Sequence, residues 1–274
     1  MPRIVSVGTA VPPNRLTQSE IQEFVRHVFQ DTFKDIDRLL PIFENGQVKT
    51  RHLCMPLNWY GEHHHFSEKN TLYRDWAYRL GMEAIRDCLT RANVEVTDLD
   101  HLFFVSTTGI STPSMDALII NGLNMDPHIK RTPIWGLGCA GGAVGITRAS
   151  DYLRAYPENR ALLVAVETCS LTFQPQDTSK SNLIGTSLFA DGAAAVLLEG
   201  DRCPGGRKGP KITFTSSTLW KDTEDVMGWD VNENGLKVIF SRDIPVLTET
   251  LLKPTIIDFL TLHQLSIGDI SYFI

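Results

Sequence analysis

The segment Gly136-Leu137-Gly138-Cys139-Ala140-Gly141-Gly142 sets one thiol among four glycines. It lies between a short apolar strand, Ile134-Trp135, and a helix predicted to reach about Tyr156. A helix N-terminus carries roughly half a unit of positive charge, which favours a thiolate, the nucleophilic form of cysteine. Gly138, Gly141 and Gly142 have no side chains to block an incoming thioester, and their backbone N–H groups could serve an oxyanion. The spacing therefore suits acyl transfer through Cys139. It suits equally a small buried cysteine packed where a helix meets a strand, because free cysteine is among the most buried residue types.

The same glycines spell a second pattern. Gly136-x-Gly138-x-x-Gly141 matches the dinucleotide-binding fingerprint, with Glu167 near where a ribose-binding acid belongs. Three features oppose that reading. The preceding strand is short and contains Pro133, another strand–helix pair comes before it, and a cysteine stands where the pyrophosphate would lie. Five cysteines in all (Cys54, Cys88, Cys139, Cys169, Cys203) are widely spaced and odd in number, so each reads as a free thiol with no zinc pair. The run His63-His64-His65 reads as a solvated loop, since three successive side chains cannot easily face one ion.

The elements around these residues read as a layered α/β protein. The apolar runs Leu102–Val105, Ala161–Val166 and Ala193–Leu198 have the character of strands buried on both faces. A strand is also expected over Ile4–Val7. Thr17-x-x-Glu20 is a capping box before a helix carrying Ile21, Phe24, Val25 and Val28. Residues 41–70 read as irregular, and Leu72 to Leu89 as a helix. Ser114 is expected to cap a helix carrying Leu118, Ile119 and Leu123. Asp201–Pro210, with three glycines and two prolines, is the best internal boundary. It divides the chain into 1–205 and 206–274. Beyond it, strands are expected near Ile212–Ser216, Lys237–Phe240 and Ile270–Ile274. A helix from Asp243-Ile-Pro245 to about His263 is expected to be kinked by Pro254. Buried strands alternating with amphipathic helices indicate an α/β layered fold.

Composition narrows the function classes. At 42% hydrophobic, 21% charged and net charge −6, the chain has an ordinary globular make-up and no basic face for nucleic acid. No apolar stretch approaches the ~18 residues of a membrane span. The N-terminus turns polar too early for a signal peptide, so a cytoplasmic location is expected.

Three segments together resemble the type III polyketide synthases, the chalcone and stilbene synthase family. The nucleophile region is Gly136-Leu-Gly-Cys139-Ala-Gly-Gly, preceded by Val105-Ser-Thr-Thr-Gly109. The second segment is Gly185-Thr-Ser-Leu-Phe189-Ala-Asp191-Gly-Ala-Ala-Ala195. The third is Gly235-Leu-Lys-Val-Ile-Phe240-Ser-Arg-Asp243-Ile-Pro245. The resemblance implies a thiolase-like αβαβα layered fold of two pseudo-repeated halves, the second incomplete here, assembled as a homodimer. It implies that Cys139 takes an acyl group from a starter acyl-CoA. Malonyl-CoA then loses its carboxylate and extends the chain, and the product closes to a pyrone or resorcinol. Coenzyme A enters with the substrates, and no metal or other cofactor is implied.

The family's catalytic His and Asn have no counterpart in the sequence. The His belongs to an HPGG-like segment after a strand resembling Ile270–Ile274, and His52, His63, His64, His65 and His263 do not match it. The chain therefore reads as a C-terminally truncated synthase, able to be acylated but not to condense malonyl units. Among pocket residues, Phe189 matches one of two gating phenylalanines, and the second gate position is Val238. Thr112 stands where plant enzymes present a methionine to the partner's pocket, and Thr108 and Thr172 match cavity-lining positions. The two smaller side chains imply a roomier pocket and a long aliphatic starter, as in bacterial alkylpyrone synthases. Arg38, Lys49 and Arg51 fall where the family binds coenzyme A phosphates, although Pro41 and Asn45 replace usual basic residues. Two alternatives stay open: a ketoacyl carrier-protein synthase or hydroxymethylglutaryl-CoA synthase relative, and a non-catalytic acyl-CoA-binding or dimerisation remnant.

Overall fold

The computed structural model describes residues 1–33 and 35–274. Its elements are β1 (Arg3–Ala10), β2 (Asn14–Thr17), α1 (Gln18–Phe29), α2 (Pro41–Asn45), β3 (Thr50–Leu53), α3 (Phe66–Ala92), β4 (His101–Val105), α4 (Met115–Leu123), β5 (Lys130–Ile134), α5 (Gly141–Ala155), β6 (Arg160–Thr168), α6 (Lys180–Leu188) and β7 (Asp191–Glu199), followed by β8 (Met227–Asn232), β9 (Gly235–Phe240), α7 (Ile244–Leu247) and α8 (Lys253–Leu262).

Five strands form one mixed sheet in the order β1-β7-β6-β4-β5. β4 runs parallel to both β5 and β6, while β7 is antiparallel to β6 and β1. The period of two explains the continuous apolar runs. Leu102 and Phe104 face the layer of Ala77, Leu80, Ala84 and Ile85 from α3, whereas Phe103 and Val105 face Ala149 and Leu153 from α5. With a helix layer on each face, neither set of side chains meets water. The α3 layer lies so close that a Cβ on Gly8 would come within 2.2 Å of the Ala84 carbonyl.

The capping box of α1 forms as expected, Thr17 and Glu20 each bonding the other's backbone. Helix α1, with α2 and Leu183 of α6, encloses a separate apolar cluster around Val25, Phe29 and Phe43. Residues 41–70 are less irregular than their composition suggests, because β3 finds β2 as an antiparallel partner. Ser114 flanks α4, but its hydroxyl bonds the Asp116 carboxylate rather than the helix backbone.

Beyond Glu199 the expectations hold less well. Asp201–Pro210 contains no helix or strand, and Arg207 ties it to Glu199 at 2.7 Å. The strand expected over Ile212–Ser216 reduces to one bridge between Lys211 and Arg3. The Arg154 guanidinium takes the Ile212 and Thr213 carbonyls, which diverts them from a ladder. Ile270–Ile274 is not a strand either, since no neighbouring strand meets it. Strand β8, unforeseen, pairs with β9 as a hairpin. In place of a kink at Pro254, a wider π turn over Thr248–Leu252 precedes α8. Proline has no N–H to give and crowds the carbonyl four residues back, which the wider turn relieves. No helix among the described residues is long and apolar enough to cross a membrane.

Candidate active site

Cys139 sits in a single 3-10 turn, Gly138–Ala140, directly before α5, and it is exposed. The buried-cysteine alternative is thereby excluded. The turn needs its glycines for two different reasons. Gly136 and Gly138 take φ of +88° and +50°, a region that L side chains rarely adopt. Gly141 has an ordinary φ, but a Cβ there would lie 2.5 Å from Val105 Cγ1, so its absence lets α5 seat on β4. One expected oxyanion donor is already used, because the Gly141 N–H donates to the Gly138 carbonyl.

The dinucleotide reading fails on two counts. The strand entering the turn is β5, at the sheet edge. The Glu167 carboxylate is also occupied: it accepts from the Thr107 N–H at 3.0 Å and from the Thr107 and Thr108 hydroxyls at 2.8 and 2.7 Å. Burial raises the Glu167 pKa, opposed by these bonds from Thr108 and Thr107. Glu167 thus holds the loop after β4 against the end of β6.

Beside the turn lies a cavity lined by Phe24, Leu57, Tyr60, Cys169, Phe173, Phe189 and Val238, among others. Cys169 links the two. Its thiol is pushed well above the usual range by burial first, then by Glu167, Asp191 and the nearby Cys139. Phe189 and Val238, read as the two gate positions, meet here. A Cβ on Gly185 would come within 3.2 Å of Phe189 and 3.5 Å of Val238. Thr172 also lines the cavity, its hydroxyl bonded to the Cys169 carbonyl at 2.7 Å. Thr108 lines only a smaller adjoining space with Lys69 and Thr172. Lys69 donates to the Phe173 carbonyl at 2.8 Å, and burial draws its pKa down to about 8 against the influence of Glu68.

The cavity is not roomy. Its volume is about 50 Å³, space for a few waters at ~10–15 Å³ each. The volume freed at Val238 is offset by Trp229, its cross-strand partner, whose ring packs edge-on to Phe189 at 6.0 Å.

Behind the cavity is a buried carboxylate that the sequence did not single out for a role. Asp191 accepts from the Cys54 and Ser170 N–H groups at 2.6 and 2.7 Å and from the Ser170 hydroxyl. Its pKa is raised by burial, with the Ser170 bonds opposing. Tyr60 joins this network through Ser170 at 2.6 Å. The motif Asp191-Gly-Ala-Ala was the available signal.

Other expected residues lie elsewhere. Thr112 is exposed and does not line this cavity; it precedes Pro113 through a cis peptide bond. Arg38 and Lys49 are exposed, as surface phosphate ligands must be, and Lys49 borders an open groove with Ser19 and Glu44. Arg51 is not with them. It is 4% exposed and lines the cavity beside Phe189, with Nη1 donating to the Thr186 and Phe189 carbonyls. Of the histidine run, His63 and His65 are exposed, but His64 is buried, stacked on Trp59 at 3.8 Å. No group of metal-ligating side chains occurs among the described residues.

Comparison with known proteins matches this arrangement to one family. The profile of chalcone and stilbene synthases, N-terminal domain, matches residues 2–202. A Bacillus subtilis (strain 168) protein named as a putative chalcone synthase is 49% identical over 280 residues, covering 99% of this chain and 77% of its own length. The 1,3,6,8-tetrahydroxynaphthalene synthase of Streptomyces peucetius subsp. caesius is 36% identical, covering 99% of this chain and 72% of its own. The crystal structure of the Streptomyces coelicolor A3(2) enzyme of that name, a bacterial type III polyketide synthase, superposes with a TM-score of 0.92 at 32% identity, covering 98% of this chain and 76% of that one. These matches separate the chain from the ketoacyl carrier-protein and hydroxymethylglutaryl-CoA synthases considered above. The family profile over most of the chain, these relatives and a thiol displayed at a glycine turn on a sheet shared with them place the chain in the chalcone and stilbene synthase family, the type III polyketide synthases, which are acyltransferases of thiolase-like fold.

Proposed function

We propose that Cys139 accepts the acyl group of a starter acyl-CoA, and that malonyl-CoA extends it by decarboxylative Claisen condensation to a pyrone- or resorcinol-type polyketide. The observation that carries the reading is the exposed Cys139 turn next to the cavity bounded by Phe189 and Val238. In the first step the thiolate attacks the thioester carbonyl, the oxygen takes negative charge, and coenzyme A leaves as its thiolate. Arg38 and Lys49 are assigned to the coenzyme A phosphates, with Phe189, Val238 and Thr172 as the acyl cavity wall. Thr108 supports that wall from behind, and Thr112 faces a partner's pocket.

The proposed starter is a fatty acyl group. At about 50 Å³, the cavity would need its aromatic rings, Phe24, Phe173 and Phe189, to turn aside for a long chain. The proposed assembly is a cytoplasmic homodimer. In support, β5 is an open edge strand, and Ile110, Trp135 and Leu137 beside it are 44%, 54% and 41% exposed, an apolar patch of the kind that interfaces cover.

Incubation with decanoyl-CoA should give protein acylated at Cys139. Absence of acylation would contradict the first step, and preference for an aromatic starter over decanoyl-CoA would contradict the proposed substrate. Tight acyl-CoA binding without acylation would favour a non-catalytic binder.

A further inference from the structure

The cavity wall carries several polar side chains, and nearly all have spent their hydrogens within the protein. The Asn182 amide donates to the Gln174 and Asp177 carbonyls at 2.9 and 2.8 Å. The Thr172 hydroxyl donates to Cys169 and the Thr186 hydroxyl to Asn182, both at 2.7 Å. Tyr60 and Ser170 bond each other at 2.6 Å, and Ser170 also bonds Asp191.

Arg51 differs. Its Nη1 is committed to the carbonyls that end α6, Thr186 and Phe189, the latter at 3.0 Å. Its Nε and Nη2 are buried with no hydrogen-bond partner among the described residues. Burial lowers the guanidinium to about 10, with Asp191 opposing, so it stays cationic near neutrality. A guanidinium presents its donors as a planar fork suited to oxygen acceptors. Buried donors of this kind gain most from an acceptor, because water is not there to satisfy them.

We propose that Arg51 is a specificity-determining residue that donates from Nε and Nη2 to a keto oxygen of a β-ketoacyl chain in the cavity. The inference rests on the acyl-transfer reading of the cavity and deepens it, since such chains carry an oxygen on every second carbon. It gives Arg51 a role distinct from coenzyme A phosphate binding. The chemistry selects a β-ketoacyl group over a saturated one of the same length.

The test measures binding of acetoacetyl-CoA and butyryl-CoA, which differ by that one oxygen. The chain carries Cys139→Ala so that acyl transfer does not consume the probe. Acetoacetyl-CoA should bind about tenfold tighter, the effect of one charge-assisted hydrogen bond. Arg51→Lys keeps a cation for the Thr186 and Phe189 carbonyls but not the fork. It should lose the preference, so that the ratio of the two affinities falls from about ten to about one. Equal affinities before Arg51 is replaced, or a preference that survives Arg51→Lys, would overturn the proposal. Should the lysine variant fail to melt cooperatively, the comparison in the Arg51 chain decides alone. Acylation of the intact chain at Cys139 without a keto preference defeats this inference but not the proposed function. A keto preference without acylation does the reverse.

Discussion

The sheet region, residues 3–199, and the region from 206 to 274 use similar apolar side chains to opposite effect. Leu102 and Leu162 are fully buried, each between a strand neighbour and a helix. Leu262, Tyr272 and Phe273 are 77%, 87% and 66% exposed. The difference lies in partners. β4 and β6 each have strand neighbours on both sides and helix layers on both faces. Among the described residues the β8–β9 hairpin pairs only with itself, and Ile270–Ile274 joins no sheet. An apolar run is a strand only where a second strand supplies the ladder.

The contrast predicts a large difference between two otherwise similar substitutions. Leu162→Ala should cost about 3 kcal/mol of unfolding free energy, the transfer loss plus an unfilled cavity. Leu262→Ala should cost under ~0.5 kcal/mol, because little is removed from packing. Urea titrations of both variants check this, and comparable losses would break the comparison.

A smaller effect follows from His101 at the start of β4. Its ring stacks on Phe103 at 4.0 Å and its Nε2 meets the Thr132 hydroxyl at 2.8 Å. Burial, then Lys130, lowers its pKa to about 4 from 6.5. The folded state therefore binds fewer protons than the unfolded chain between pH 6.5 and 4. Stability is fully present above the unfolded value and is lost as pH falls toward the folded one. The loss should be about 3 kcal/mol, and His101→Gln should flatten it. An equal acid slope in the variant would place the sensitivity elsewhere.

These regions also differ in how far the sequence revealed them. Cys139, Phe189 and Val238 were legible because motif spacing fixes them on the chain, and the sheet strands because both faces are apolar. The hairpin strand β8, Met227–Asn232, is half-exposed and mixed in character, so its pairing with β9 left little trace. Burial was the least legible property. Arg51 reads as a surface cation by type, yet the two α6 carbonyls draw it inward. The cavity volume was also misjudged from Val238 and Thr112, since the ring beside Val238, Trp229, sits on the unforeseen strand and Thr112 does not line the cavity.

The central claim is that Cys139 is the acyl acceptor. Intact-protein mass spectrometry after incubation with decanoyl-CoA tests it most directly, with Cys139→Ala alongside. The account predicts one added decanoyl group on the unaltered chain, mapping to the peptide that contains Cys139, and none on the variant. An adduct that persists in Cys139→Ala, or an unaltered chain that never gains one, would contradict it.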